Sequence, residues 1–263
     1  MVNNITRGPF PVSSQELAGK RALVTGGTRG IGAAIVRRLR DAGAQVVASA
    51  RTPVENFPTD ATFLQGDVSS LAGARAVAKG AVEALGGIDI LINNAGAAVA
   101  YSGGVLAIDD EAWLDALNAN YLSAVRLTAA LVPAMIAQKS GVIVNVSTGA
   151  AFLPVPPLAH YGAAKAALNA YTKSLASEIA LHGVRAMVIS PGNVASPGAD
   201  KIREDLAKGM SLDPAAMTAG VPLGRVGVPS DIAEMVGFLV SDRGAWITGS
   251  NFLIDGGEAP FVI

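Results

Sequence analysis

Short β-branched apolar runs recur along the chain at residues 22–25, 45–48, 88–92, 142–146, 184–189 and 252–254, with a weaker one at 62–64. Several are apolar on both faces, the pattern of strands covered on both sides of a parallel sheet. Between them lie alanine-rich stretches of helical length at 31–42, 70–85, 109–137, 161–181 and 230–240. This alternation predicts an α/β fold: a doubly wound parallel sheet with right-handed crossovers and helices on both faces. Residues 192–228 break the rhythm. They are rich in Gly, Pro, Ala and Met, carry no clear strand, and read as a lid or binding loop. No shift in composition divides the chain, so one domain is expected over 17–263, behind a polar, proline-containing arm at 1–16.

Composition narrows the function classes. Of 263 residues, 51% are apolar and 16% charged, a balance that suits a well-buried globular enzyme. A net charge of −1 gives no footprint for nucleic acid or an anionic membrane. The chain has no cysteine, which excludes disulfides and thiolate chemistry. Its two histidines, His160 and His182, show no ligand spacing, so no metal is expected. The first 16 residues lack the apolar core of a signal peptide and no apolar stretch reaches 18 residues, so a cytoplasmic location without membrane association is expected.

Two features carry chemistry. Tyr161 and Lys165 stand one helical turn apart in Tyr161-Gly-Ala-Ala-Lys165 and leave the same face. A cation beside a phenol stabilises the phenolate, so Lys165 is expected to draw the acidity of Tyr161 toward physiological pH. The phenol could then give a proton to a carbonyl oxygen or take one from an alcohol. Far upstream, the first strand runs into Thr25-Gly26-Gly27-Thr28-Arg29-Gly30-Ile31-Gly32 and then a helix. Glycines let backbone amides approach a pyrophosphate, and the helix N-terminus adds partial positive charge.

With Asp67-Val68, Asn93-Asn94-Ala95-Gly96, Asn120 and Ser190-Pro191-Gly192, these motifs fall in an order and spacing that resembles the short-chain dehydrogenase/reductase family over nearly the whole chain, from about Leu17 to Gly257. The likeness is to its single-domain, 3-oxoacyl-carrier-protein reductase-like members and implies a Rossmann-type sheet. It implies that Gly26, Thr28, Arg29, Gly30, Ile31 and Gly32 bind the cofactor pyrophosphate, and that Asp67 and Val68 hold the adenine end. Asn94 and Gly96 would flank the ribose, and Pro191, Gly192 and Val194 the nicotinamide. Ser196 would lie near the pyrophosphate. Strand 2 ends in Ala48-Ser49-Ala50-Arg51, without the acid that would bond a ribose 2′-hydroxyl. Arg51 and Arg29 instead suit a 2′-phosphate, so NADP(H) is expected over NAD(H).

The resemblance also implies the catalytic set. Tyr161 would be the general acid/base, and Lys165 would lower its pKa and bond the nicotinamide ribose. Asn120 would hold a relay water, with Asn118 as a competitor, and the pro-S hydride would move to the carbonyl carbon. The family places a serine after strand 5. Here Val146-Ser147-Thr148-Gly149 puts Thr148 at the usual interval from Tyr161, with Ser147 next to it as the alternative. The substrate wall would come from 97–105, 152–158, Asn193 and the lid. It is mostly apolar, with no charge standing out, which favours a neutral or apolar carbonyl or alcohol; Arg203 or Lys208 could reach in from the lid. The alanine-rich helix of Tyr161 suits the family's helix-to-helix association, and a homotetramer is expected. A catalytically silent dinucleotide-binding protein on the same scaffold is the alternative.

Overall fold

The structure, a computed structural model, describes residues 15–55, 60–210, 213 and 220–261. Most of the expected arm, and residues 211–212 and 214–219 of the lid, lie outside the described residues.

Seven strands form one sheet: β1 Arg21–Thr25, β2 Gln45–Ala50, β3 Thr62–Gln65, β4 Ile90–Asn93, β5 Gly141–Val146, β6 Val184–Pro191 and β7 Asn251–Ile254. They are parallel throughout, in the order β3-β2-β1-β4-β5-β6-β7. The two-sided apolar runs are explained by what covers them. On one face, α1 Gly30–Asp41 and α7 Pro229–Val240 bring Ile35, Leu39, Ile232, Val236 and Leu239 onto Val24, Ile92 and Val144. On the other, α2 Leu71–Leu85, α4 Ser123–Ala137 and α5 Ala159–Ile179 bring Val77, Leu127, Leu131, Met135 and Ile179 onto Leu23, Leu91 and Ile143. Glu16, the last residue of the expected arm, already belongs to this body. It pairs with the buried Arg38 of α1 and with Arg243, beside the buried Leu17.

Two segments differ from the sequence pattern. The helical stretch over 109–137 is divided into α3 Asp110–Leu117, a π-helical turn Asn118–Leu122 and α4. The whole of Asp110–Ala137 is long and apolar enough to cross a membrane by length and composition, yet its apolar face covers the sheet. The lid carries a helix, α6 Pro197–Met210. Its base is tied down by a parallel bridge between Val194 and Gly227.

A polar chain runs through the apolar interior. Asn93 at the end of β4 donates its Nδ2 to Asn145 Oδ1 on β5 at 2.8 Å, and Asn145 Nδ2 donates to Thr172 Oγ1 on α5 at 2.8 Å. The Thr172 hydroxyl donates to Leu168 O. Hydrogen bonds inside a low-dielectric core hold three elements in one register, because a slip would strand buried polar groups. Asn145→Ala is therefore expected to lower unfolding stability by about 2 kcal/mol or more, since it leaves the buried Asn93 amide without its acceptor and removes the link to Thr172. Urea denaturation measures this, and a loss below about 0.5 kcal/mol would contradict it.

Candidate active site

Between β1 and β4 the chain order reverses, so the loops leaving these strands diverge and open a crevice at their C-terminal ends. The edges of the crevice are fixed by hydrogen bonds. Thr25 Oγ1 accepts from the amides of Asn94 and Ala95 at 3.1 and 3.0 Å. Asn94 Nδ2 donates back to the carbonyls of Thr25 and Gly26. The glycine loop rises directly from this clamp. A Cβ at Gly32 would stand 2.1 Å from Gly26 O, so only glycine lets α1 begin this close to the strand end. A side chain at Gly30 would fill the space toward Ser196 at the head of α6. Ser196 Oγ accepts from Ala199 N and caps that helix. Thr28, Arg29 and Ile31 complete the loop, with Arg29 exposed and Ile31 packed on the core.

At the opposite end of the crevice, Arg51 is exposed just beyond β2. Asp67 lies across from it after β3. Its carboxyl is held below the usual range by hydrogen bonds from Ser69, with a further contribution from the Arg51 charge. Among the described residues, neither Arg29 nor Arg51 has an ion-pair partner. Val68 is buried in the core, so only its backbone is available to a ligand.

The π turn aims Asn120 inward. Its Nδ2 donates to Ala97 O at 2.8 Å and Ala116 O at 3.0 Å, and its Oδ1 accepts from Ala97 N at 3.0 Å. Asn120 is thus locked onto the strand that follows Gly96. A Cβ at Gly96 would lie 2.7 Å from Asn120 Oδ1 and 3.4 Å from Lys165 Nζ, so this glycine leaves room between the two side chains. Asn118, two residues earlier, faces elsewhere: its Oδ1 accepts from Arg126.

Lys165 is buried and donates its ammonium to Val146 O at 2.7 Å. Burial without a carboxylate partner draws its pKa down to about 8. The Thr148 hydroxyl stands near the Tyr161 phenol and acts to lower its pKa. The neighbouring Ser147 is buried and directs its hydroxyl to Lys165 O on the other side of the strand, as alternation along an extended chain requires. One expectation is corrected. The Tyr161 phenol lies above its ordinary range, because burial raises it more than the Thr148 hydroxyl lowers it. Lys165 makes no opposing contribution; its ammonium is directed at Val146 O.

Beyond Tyr161 lies the wall. Tyr101 N donates to Pro157 O, joining the loop after Gly96 to the proline segment. The buried His160 ring stacks edge-on with Tyr101 at 5.3 Å and with Trp113 at 6.1 Å, and burial pushes its pKa down. Pro191 ends β6, and Gly192 N donates to Ile254 O. Val194 is buried beneath the lid base. Asn193 faces the C-terminal tail, where Glu258 accepts from its backbone amide and its side-chain amide. Phe261 packs against Phe152 with ring centroids 6.1 Å apart. Glu258, Phe261 and His160 were not among the residues expected here. Nothing in the spacing of His160 points to the site. For the tail, the turn-forming Asp255-Gly256-Gly257 is a signal that the chain folds back after β7.

A family profile described as "short chain dehydrogenase" matches residues 20–207. The chain is 34% identical over 248 residues to the 3-oxoacyl-[acyl-carrier-protein] reductase FabG of Vibrio cholerae, covering 92% of this chain and 98% of that protein. It is 37% identical over 253 residues to dehydrogenase/reductase SDR family member 4 of Bos taurus, covering 92% and 88%. The crystal structure of gox2181 superimposes with a TM-score of 0.84 at 30% identity, covering 92% of this chain and 96% of that one.

Proposed function

The chain belongs to the short-chain dehydrogenase/reductase family and is an oxidoreductase, and from that premise we propose that it interconverts a carbonyl compound and a secondary alcohol with NADP(H). The observation that carries this reading is the Tyr161–Thr148 hydroxyl pair at the C-terminal end of β5, one turn from a buried Lys165 and beside the glycine crevice.

The residues present fit a dinucleotide. Gly26, Gly30 and Gly32 leave room for a pyrophosphate at the N-terminus of α1, where the amides of Ile31 and Gly32 offer donors. Asp67 and the backbone of Val68 would hold the adenine, Asn94 and Gly96 the ribose, and Pro191, Gly192 and Val194 the nicotinamide. Arg51 and Arg29, two exposed cations with no acid at the end of β2, favour a ribose 2′-phosphate. When bound, the cofactor supplies or accepts the hydride. In reduction, Thr148 and Tyr161 donate hydrogen bonds to the carbonyl oxygen, and Tyr161 transfers its proton to it. Lys165 compensates the tyrosinate that results, and Asn120, fixed on Ala97, holds the water that returns a proton. A phenol above its ordinary range is protonated at neutral pH and ready as an acid. Ser147 takes no part, because its hydroxyl is directed to Lys165 O.

The silent dinucleotide-binding reading is set aside because Thr148 keeps a hydroxyl near Tyr161. The substrate is expected to be a neutral small molecule, held by the apolar wall of 97–105 and 152–158. On α5, Ala163, Ala166 and Ala170 form an exposed stripe that suits close helix packing between subunits of a homotetramer.

With a panel of ketones, aldehydes and acyl thioesters, NADPH oxidation is expected to exceed NADH oxidation, and Arg51→Ala should remove that preference. Tyr161→Phe should lower kcat by about 10³-fold and Thr148→Val by about 10²-fold, while Ser147→Ala keeps the activity. Full activity in Tyr161→Phe would overturn the mechanism.

The lowered pKa of Lys165 sets a pH dependence. Its ammonium is charged below about 8 and neutral above it. The reductive kcat/KM should therefore fall as pH rises through about 8, while Tyr161 remains protonated. A flat profile across that value would contradict the role of the charge. Light scattering tests the assembly, and a monomeric mass would refute the tetramer.

A further inference from the structure

The turn after Gly192 sits where the nicotinamide end of the crevice meets the lid. Val194 anchors it in the core, and a cavity of about 250 Å³ lies behind it, lined by Asn193, Val194, Leu223, Ile254, Asp255 and Gly256. Hydrogen bonds hold Asn193 at its tip. Asp255 accepts from the amides of Gly257 and Ala259 and so turns the tail back from β7 toward the site. Glu258 then accepts from both Asn193 N, at 3.3 Å, and Asn193 Nδ2. On its far side, Asn193 Oδ1 accepts from Arg203 of α6 at 3.5 Å, and Arg203 is itself paired with Asp200. Three residues farther along, Phe261 closes on Phe152 of the substrate wall.

We infer that Glu258 is a positioning residue: its carboxylate latches the lid helix α6 to the C-terminal tail through Asn193 and thereby sets the shape of the substrate site. The alternating order acid–amide–guanidinium–acid lets each group satisfy the next. Removing Glu258 takes away the acceptor shared by Asn193 N and Nδ2 and frees the Asn193–Arg203 contact to rearrange. The lid helix also buries Leu206 and Ala207, so the Glu258 latch adds to an apolar contact, and losing it should show in the local opening equilibrium of α6.

Limited trypsin digestion reads this without substrate, because α6 contains Lys201, Arg203 and Lys208, while Lys79 in α2 serves as an internal reference. In the full-length protein, Glu258→Ala should speed cleavage within α6 by about five-fold or more with cleavage at Lys79 unchanged, and Glu258→Gln, which keeps one acceptor, should fall between. Exposed Glu178→Ala, on α5, should change neither site. Equal α6 cleavage in Glu258→Ala and wild type would overturn the latch. So would acceleration at α6 and Lys79 by the same factor, which signals general destabilisation. The kinetic arm rests on the proposed reductase reading: Glu258→Ala should raise the carbonyl KM by about five-fold or more while kcat and NADPH affinity change less than about two-fold. An unchanged KM would overturn the role in shaping the site. If no carbonyl in the panel is reduced by the wild type but α6 cleavage still accelerates in Glu258→Ala, the latch stands and the reductase reading falls.

Discussion

The clamp between Thr25 and Asn94 is the constraint from which the rest of the site is built. The sheet delivers β1 and β4 side by side, but their loops leave in opposite directions, and a crevice between diverging loops would otherwise be floppy. One hydroxyl holds two amides on the far strand, and one side-chain amide holds two carbonyls on the near one. Both edges therefore have fixed positions. From the β1 edge rises the glycine loop; from the β4 edge runs the strand through Gly96 to Ala97. Ala97 fixes Asn120 by two reciprocal bonds, and the space kept by Gly96 admits Lys165. The glycine loop and the Asn120–Lys165 neighbourhood thus share a single origin in the backbone.

Burial dominates the electrostatics around Tyr161. An ammonium surrounded by apolar atoms and a carbonyl is destabilised, and a phenol without a cation in contact keeps its proton. Both shifts act to keep charge out of the site in the absence of a ligand. The pair becomes useful when charge develops on the phenolate, because a buried cation then acts at low dielectric with no water to screen it. In the proposed mechanism, activation by Lys165 therefore belongs to the reacting state.

Much of this was legible in the chain. Two-sided apolar runs alternating with alanine-rich stretches specify a covered parallel sheet, and the glycine spacing marks where the crevice opens. Adjacent candidates were harder. Asn118 and Asn120 stand two residues apart on one helical stretch and so leave on different faces, and which face turns inward was not legible before the packing of the π turn was known. Ser147 and Thr148 follow from alternation once the end of β5 is known, but a sequence does not fix that end to a residue. The tail was missed for a different reason. Its contacts to Asn193 and Phe152 span 65 or more residues of chain, and long-range pairing of a single acid leaves no local pattern.

That tail changes what the wall says about a substrate. Glu258 and Arg203 bring charge to a surface that reads as apolar in sequence, which at first argues for an ionic substrate. Their arrangement argues otherwise. Arg203 is shared between Asp200 and Asn193, and Glu258 has both carboxylate oxygens occupied by Asn193. Charged groups already satisfied by one another offer little to an incoming carboxylate or ammonium, which would have to displace them and lose its own water. What they provide is a polar link between α6 and the tail beside the Phe152–Phe261 ring pair, an arrangement in keeping with the neutral carbonyl substrate proposed above.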